Sequence, residues 1–255
     1  MSGIYNITPG YDLAQRTVKS VYGLTGYFDY PGPSYLGPVD ASFLRKTRFP
    51  HKISLLHDFL FDLEWEGIES ELSVLPPAEN IDFWSSYMRM SGLECPEWVC
   101  EKEISSHGTE LRLAAKAATE RAVVAAFQLL FRDHEFLFEF QKLIRMKLDE
   151  FGRESLDHQK PVHRIPRVPA WLQKAVFYRD MGHCQICFKD VTGEVFPHGK
   201  YHLDHILPLS QGGTNDATNF QLLCARCNLQ KGPRIQKPLN QQVLFWANEE
   251  AEQQL

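Results

Sequence analysis

The chain has 255 residues, 44% of them hydrophobic and 23% charged, with a formal net charge of −5. That balance excludes a disordered or fibrous chain, and no apolar run approaches the ~20 residues of a membrane span. The length allows one or two domains, and the first twenty residues lack a basic-then-apolar leader, so the expected location is the cytoplasm, away from membranes.

The first fifty residues are broken by Pro9-Gly10, Gly23, Gly26, Pro31-Gly32-Pro33 and Gly37-Pro38. Such punctuation disfavours regular structure, and the interleaved Tyr22, Tyr27, Phe28, Tyr30 and Tyr35 suggest a packed, extended arm. From Lys52 to Leu75, Leu55, Leu56, Phe59, Leu60, Leu63, Ile68 and Leu72 recur at helical spacing, and Pro76-Pro77 ends the pattern. Ile81–Met90 reads as a short helix. Cys95 and Cys100 have no second pair nearby and read as ordinary thiols. An alanine-rich, then phenylalanine-rich, helical pattern runs from Thr109 to Phe151, with a break expected at Arg132-Asp133-His134 and a C-cap at Gly152. Residues 152–169 are polar, contain three prolines and read as a stiffened linker. Ala170–Met181 is the next expected helix. Leu239–Leu255 is expected to close the chain as a C-terminal helix, giving a terminal element over 238–255.

Between them, from His183 to Gly232, lies the most informative stretch. Cys184 and Cys187 form one Cys-x-x-Cys pair, Cys224 and Cys227 another, with 36 residues between the pairs. Four thiolates in two tight turns suit tetrahedral zinc; the alternatives are disulfides or plain buried thiols, which the lack of a secretory leader disfavours. The insert carries His202-Leu203-Asp204-His205 in a run, Tyr201–Leu209, that reads as a strand. Neighbouring strand residues face opposite sides, so Asp204 and His205 can serve one site only at a strand end or bulge. Gly212-Gly213 turns the chain, and from Asn219 an apolar run leads into an expected helix carrying Cys224, Cys227, Asn228 and Lys231 on one side.

These residue types suit phosphodiester chemistry. A carboxylate and an amide oxygen, Asp204 and Asn228, fit a hard cation such as Mg²⁺ or Mn²⁺. A neutral histidine such as His205 can take a proton from water. The plainer reading is that Asp204 and His205 only tie a turn together.

The pattern resembles the HNH endonuclease family, with C-x-x-C, D-H-I-x-P, G-G, N and C-x-x-C-N-x-x-K-G present as Cys184, Cys187, Asp204, His205, Ile206, Pro208, Gly212, Gly213, Asn219, Cys224, Cys227, Asn228, Lys231 and Gly232. The third letter of the family name is Asn228 here. The resemblance implies a ββα-metal core and an α+β chain, with a helical domain over about 1–155 and the HNH domain over about 165–235. It implies that His205 is the general base, that Asp204 and Asn228 hold a catalytic Mg²⁺ or Mn²⁺, that Asn219 braces the loop and orients His205, and that the four cysteines hold structural Zn²⁺. It also implies DNA as substrate and, as setting, bacterial anti-phage defence or restriction, with the helical domain docking further subunits. A zinc-stabilised DNA-binding subunit without catalysis is the competing reading.

Charge agrees with a nucleic-acid partner. Residues 163–237 carry 10 Lys/Arg against 5 Asp/Glu, whereas residues 1–162 carry 17 against 24. His202, Arg226, Lys231 and Arg234 are the candidate nucleic-acid contacts. The acidic flank further suggests that the helical domain restrains the nuclease, in which case a chain starting near Pro166 would be the faster enzyme.

Overall fold

A computed structural model describes residues 8–23, 36–74, 81–100, 108–154, 162–193 and 201–238. It is an α+β chain: helices throughout, with a two-stranded sheet near the C-terminal end. The expected helix over 239–255 lies outside the described residues, as do most of the aromatic arm and residues 155–161 of the linker. No described helix is long and apolar enough to cross a membrane. The chain divides into two compact units: Met1–Phe43 with Lys52–Leu130, and Leu44–His51 with Phe131–Leu255.

The described part of the first unit is helical, which corrects the expectation that punctuation keeps the first fifty residues extended: helices cover Thr8–Val21 and Ala41–Arg48, and Pro9 falls in a first turn, where a missing N–H costs nothing. It contains α1 (Thr8–Val21), the start of α2 (Ala41–Arg48), α3 (Leu55–Val74), α4 (Ile81–Met90), α5 (Glu97–Cys100) and α6 (Gly108–Leu130). The leucine-phenylalanine stripe of α3 is buried as its spacing requires, through Leu55, Leu56, Phe59, Leu60, Leu63 and Ile68. The alanines of α6 allow α1 to approach closely: a Cβ added to Gly10 would lie 2.6 Å from the Ala125 Cβ. A polar cluster crosses this core. The Tyr87 hydroxyl lies 3.1 Å from Glu64 Oε1 and 2.9 Å from Thr119 Oγ1, and Arg16 pairs with Glu64.

The long helical pattern breaks where the sequence suggests. After Leu130 the chain turns, and Asp133 Oδ1 accepts the Phe136 amide at 3.0 Å, capping α7 (His134–Glu154). Gly152 lies inside α7 instead of ending it. The unit boundary falls in that same break, so α7 belongs with the second unit and not with the helices that precede it. The described part of that unit further contains the end of α2, α8 (Ala170–Arg179), β1 (Tyr201–His205), β2 (Phe220–Cys224) and α9 (Ala225–Lys231). The strands are antiparallel, with Tyr201 opposite Cys224 and His205 opposite Phe220. Leu172 and Val176 of α8 pack with Val191, Ala217, Phe220, Leu222 and Leu223.

Asp180 joins three of these elements. Its carboxylate accepts Arg179 Nε at 2.6 Å and the Leu222 amide at 2.7 Å, and lies 3.1 Å from His134 Nε2 of α7, off the hydrogen-bonding angle. Arg179 also donates to the Phe220 carbonyl and stacks over the Phe131 ring. A buried charge is tolerated only when so paired.

Burial, and then Arg179, lower the pKa of His134. Burial alone would raise Asp180, but Arg179 and His134 outweigh it and hold that carboxyl low. Both groups therefore bind protons more readily when unfolded. Their stabilisation is complete above the ordinary values of 6.5 and 3.8, and is lost as pH falls through the lower folded-state values. Melting temperature should thus fall as pH drops below 6.5, and a second loss should follow below 3.8. His134→Gln should remove its share of the upper limb, at most about 1.4 kcal/mol per pH unit. Equal pH profiles for wild type and variant would show that His134 does not titrate with folding.

Candidate metal and nuclease site

The four thiols converge. The Sγ atoms of Cys184, Cys187, Cys224 and Cys227 all lie within 4.8 Å of one another, and Cys187 and Cys224 are 3.8 Å apart. Four sulfurs at ~2.3 Å from a tetrahedral zinc would be separated by about 3.8 Å, whereas a disulfide needs about 2.05 Å. The first knuckle is built by Phe188, whose φ of 57° turns the chain so that its amide meets the Cys184 carbonyl at 2.8 Å. The second corrects the expectation that Cys224 lies in the helix. Cys224 ends β2 and caps α9, its sulfur accepting the Cys227 amide at 3.4 Å. Burial, then the neighbouring thiols, raise Cys227, and burial raises Cys184; burial alone would raise Cys224, but the Cys227 amide and the neighbouring thiols outweigh it and hold Cys224 low.

His205 is the last residue of β1, so the two side chains of the Asp-His pair diverge at a strand end. The imidazole is buried, with its ring centroid 4.6 Å from that of Phe220. Its Nε2 lies 3.0 Å from Asn215 Oδ1. The amide of Asn215 is oriented by two carbonyls, since Nδ2 donates to Arg48 O at 3.0 Å and to His163 O at 2.8 Å. Oδ1 is therefore the acceptor facing the ring. In the neutral ring the hydrogen sits on Nε2, and Nδ1 keeps its lone pair. Burial, foremost, lowers the His205 pKa, with help from Arg164 and Lys231; the Asn215 bond and Asp204 oppose this.

Asn219 holds the loop that follows. Its Oδ1 accepts the Leu207 amide at 2.8 Å, and its Nδ2 donates to Leu207 O at 3.0 Å and Thr214 O at 2.8 Å. Gly213 is needed in the same loop, because a Cβ there would lie 1.9 Å from the Leu207 carbonyl oxygen.

Asp204 pairs with Lys231. Lys231 Nζ lies 2.6 Å from Asp204 Oδ2 and 2.8 Å from the His205 carbonyl. Gln221 also reaches Oδ2, at 3.4 Å, which leaves Oδ1 without a hydrogen bond among the described residues. Lys231 is only 3% exposed, so it is an internal counter-ion and not the nucleic-acid contact its sequence position suggests. Asn228 is half-buried on α9, which packs against both strands. His202 is exposed and shares a strand face with Asp204. Arg226 and Arg234 are exposed, Arg226 beside the thiols.

Asn215 and Gln141 are the site residues that motif reading misses. Asn215 lies in the Gly-Gly turn, where Asn is ordinary turn chemistry. Gln141 sits in a phenylalanine-rich helix 73 positions from Thr214, beyond any local pattern. Arg164, exposed and near enough to act on His205, is a third.

The site is thus a short antiparallel pair closed by a helix, with four clustered thiols that could hold a metal ion and an Asp-His pair at a strand end. Residues 184–244 match the family model described as HNH endonuclease. Comparison with curated proteins and with solved structures returned no match.

Purified protein should contain close to one zinc per chain, and Cys184→Ser or Cys227→Ser should unfold the second unit, because structural zinc contributes ~10–16 kcal/mol in small zinc domains. Metal analysis and thermal melts decide this; zinc-free protein melting like wild type would refute it. Gly213→Ala should destabilise the same unit while keeping the thiol site, which zinc content together with a lowered melting temperature would show.

Proposed function

We propose that the second unit hydrolyses DNA phosphodiester bonds with His205 as general base. The observation that carries this reading is the Asn215–His205 hydrogen bond, which ties up Nε2 and leaves Nδ1 as the proton acceptor. The lowered pKa keeps the ring neutral near pH 7, the form a base must have. Nδ1 takes a proton from the attacking water as its oxygen bonds to phosphorus and the ester oxygen leaves. General-base catalysis of this kind is worth ~10²–10⁴-fold.

The donor set fits a hard divalent cation: Asp204 keeps Oδ1 available, and Asn228 offers an amide oxygen on the adjoining helix. Mg²⁺ or Mn²⁺, held by Asp204 and Asn228, would neutralise phosphate charge and stabilise the leaving oxygen. Lys231 holds the Asp204 carboxylate in place from the protein side. Asn219 fixes the backbone that carries His205. Arg164, His202, Arg226 and Arg234 are positioned as exposed phosphate contacts.

Charge supports a polyanionic substrate. The second unit carries 19 Lys/Arg against 15 Asp/Glu, net +4, while the first carries 8 against 17, net −9. We further propose a cytoplasmic protein whose first unit recruits partner subunits, with anti-phage defence as the setting.

Incubation of the full chain with supercoiled plasmid and Mg²⁺ or Mn²⁺ should yield nicked or linear DNA. His205→Ala should lower the rate ~10²–10⁴-fold in a protein that still folds and keeps its zinc. Wild-type cutting by His205→Ala would remove it as the base. DNA binding without cleavage by wild type under both metals would favour the non-catalytic binding subunit.

A further inference from the structure

The HNH match begins at Cys184, yet five hydrogen bonds that set the site come from four residues upstream of it: Thr47, Arg48, Gln141 and His163. The segment Thr214–Asn219 is a loop between the strands, and its side chains are almost wholly buried. On α7, Gln141 is itself fully buried and spends both ends of its amide on this loop. Its Oε1 accepts the Thr214 hydroxyl at 2.9 Å, and its Nε2 donates to Thr218 Oγ1 at 2.9 Å. The two threonines flank Asn215. Asn215 is further held by its amide to the Thr47 carbonyl at 2.8 Å, and by Nδ2 to the carbonyls of Arg48 and His163.

Thr218 and Asp216 close the loop on itself. Asp216 Oδ1 accepts both the Thr218 amide, at 3.0 Å, and the Thr218 hydroxyl, at 2.5 Å. The Thr214 hydroxyl in turn accepts the Asp216 amide at 3.2 Å. Gln141 thus links the loop's two threonine hydroxyls to α7. Removing it leaves the buried Thr214 hydroxyl proton without its acceptor and takes one of two partners from Thr218 Oγ1, and an unmet buried donor costs ~1–3 kcal/mol, enough to shift a loop conformation.

We propose that α7 is a working part of the nuclease site, with Gln141 a positioning residue: through Thr214 and Thr218 it holds Asn215, which fixes the ring and tautomer of His205. This rests on the reading of His205 as the base. It also replaces the expectation that a chain beginning near Pro166 is a complete nuclease, since such a chain lacks Gln141, Thr47, Arg48 and His163. Part of what sets the imidazole therefore comes from outside the HNH match.

The test uses the full chain with ¹⁵N-labelled histidine, the His205 signals being assigned by their loss in His205→Gln. Wild type should show a protonated Nε2 and an unprotonated Nδ1. Gln141→Met, similar in length and without hydrogen-bonding groups, should give nitrogen shifts averaged between tautomers. It should also lower kcat about 10–100-fold at unchanged KM and zinc content, the scale expected for misplacing a catalytic group. Thr214→Val should behave like Gln141→Met, whereas Thr214→Ser, which keeps the hydroxyl, should restore the wild-type pattern. Wild-type shifts and kcat in a folded Gln141→Met protein would overturn the proposal. If Gln141→Met fails to fold, the threonine pair decides, and identical behaviour of Thr214→Val and Thr214→Ser would overturn it. If wild type cuts no DNA but its fixed tautomer is lost in Gln141→Met, the nuclease reading fails and the positioning role stands.

Discussion

The second unit depends on burying a polar loop. Five of the six residues Thr214–Asn219 are polar, and all six are at most 5% exposed. A loop in water finds its hydrogen bonds anywhere; a buried one must have every donor and acceptor matched by protein. The partners cannot come from the loop alone, so they are drawn from Thr47, Arg48, Gln141 and His163. This accounts for the make-up of the unit, which gathers Leu44–His51 and α7 around a sheet of only two strands. A two-stranded sheet is marginal alone, and the surrounding elements supply what it lacks.

The same unit uses buried ion pairs sparingly and at junctions. Asp180 bonds to Arg179 and to the Leu222 amide, and draws in His134, so one carboxylate registers α7, α8 and β2. Lys231 and Asp204 do the same for α9 and β1. Such pairs add little net stability, because desolvation offsets attraction, but breaking one leaves an uncompensated charge. Their value here is registry: a sheet with five-residue strands has few contacts to forbid a slip, and a slip of one residue would send His205 to the other face.

The candidate site is legible in the sequence because its pattern is local. Cys-x-x-Cys places two sulfurs in one turn, and Asp204-His205 followed by Pro208 and Gly212-Gly213 marks a strand end before a loop. The α+β class and the helices α3, α4, α6, α7 and α8 follow from periodicity and prolines, whereas α1 and α2 fall in a stretch whose glycines and prolines read as an extended arm. What local pattern cannot show is partnership. The phenylalanine stripe of α7 looks the same whether it packs on α6 or on the loop of another unit, so the helix reads as a continuation of its predecessor. Lys231 reads as an exposed cation because lysine usually is one; only the fold brings Asp204 within 2.6 Å. Gln141 contacts residues 73 and 77 positions away, and nothing beside it in the chain announces that.

The identity of residue 215 has its own physical logic. A carboxylate at that position would also accept a hydrogen bond from Nε2, but its charge would stabilise the imidazolium and make the ring hold its proton. It could not donate to Arg48 O and His163 O, so its orientation would be lost with its neutrality. An amide does three things at once. It accepts from Nε2, it is locked by two carbonyls, and it leaves burial, Arg164 and Lys231 free to keep the ring uncharged. The price is that an amide's two ends must both be satisfied in a buried place, and satisfying them is what ties the site to segments as distant as residue 48.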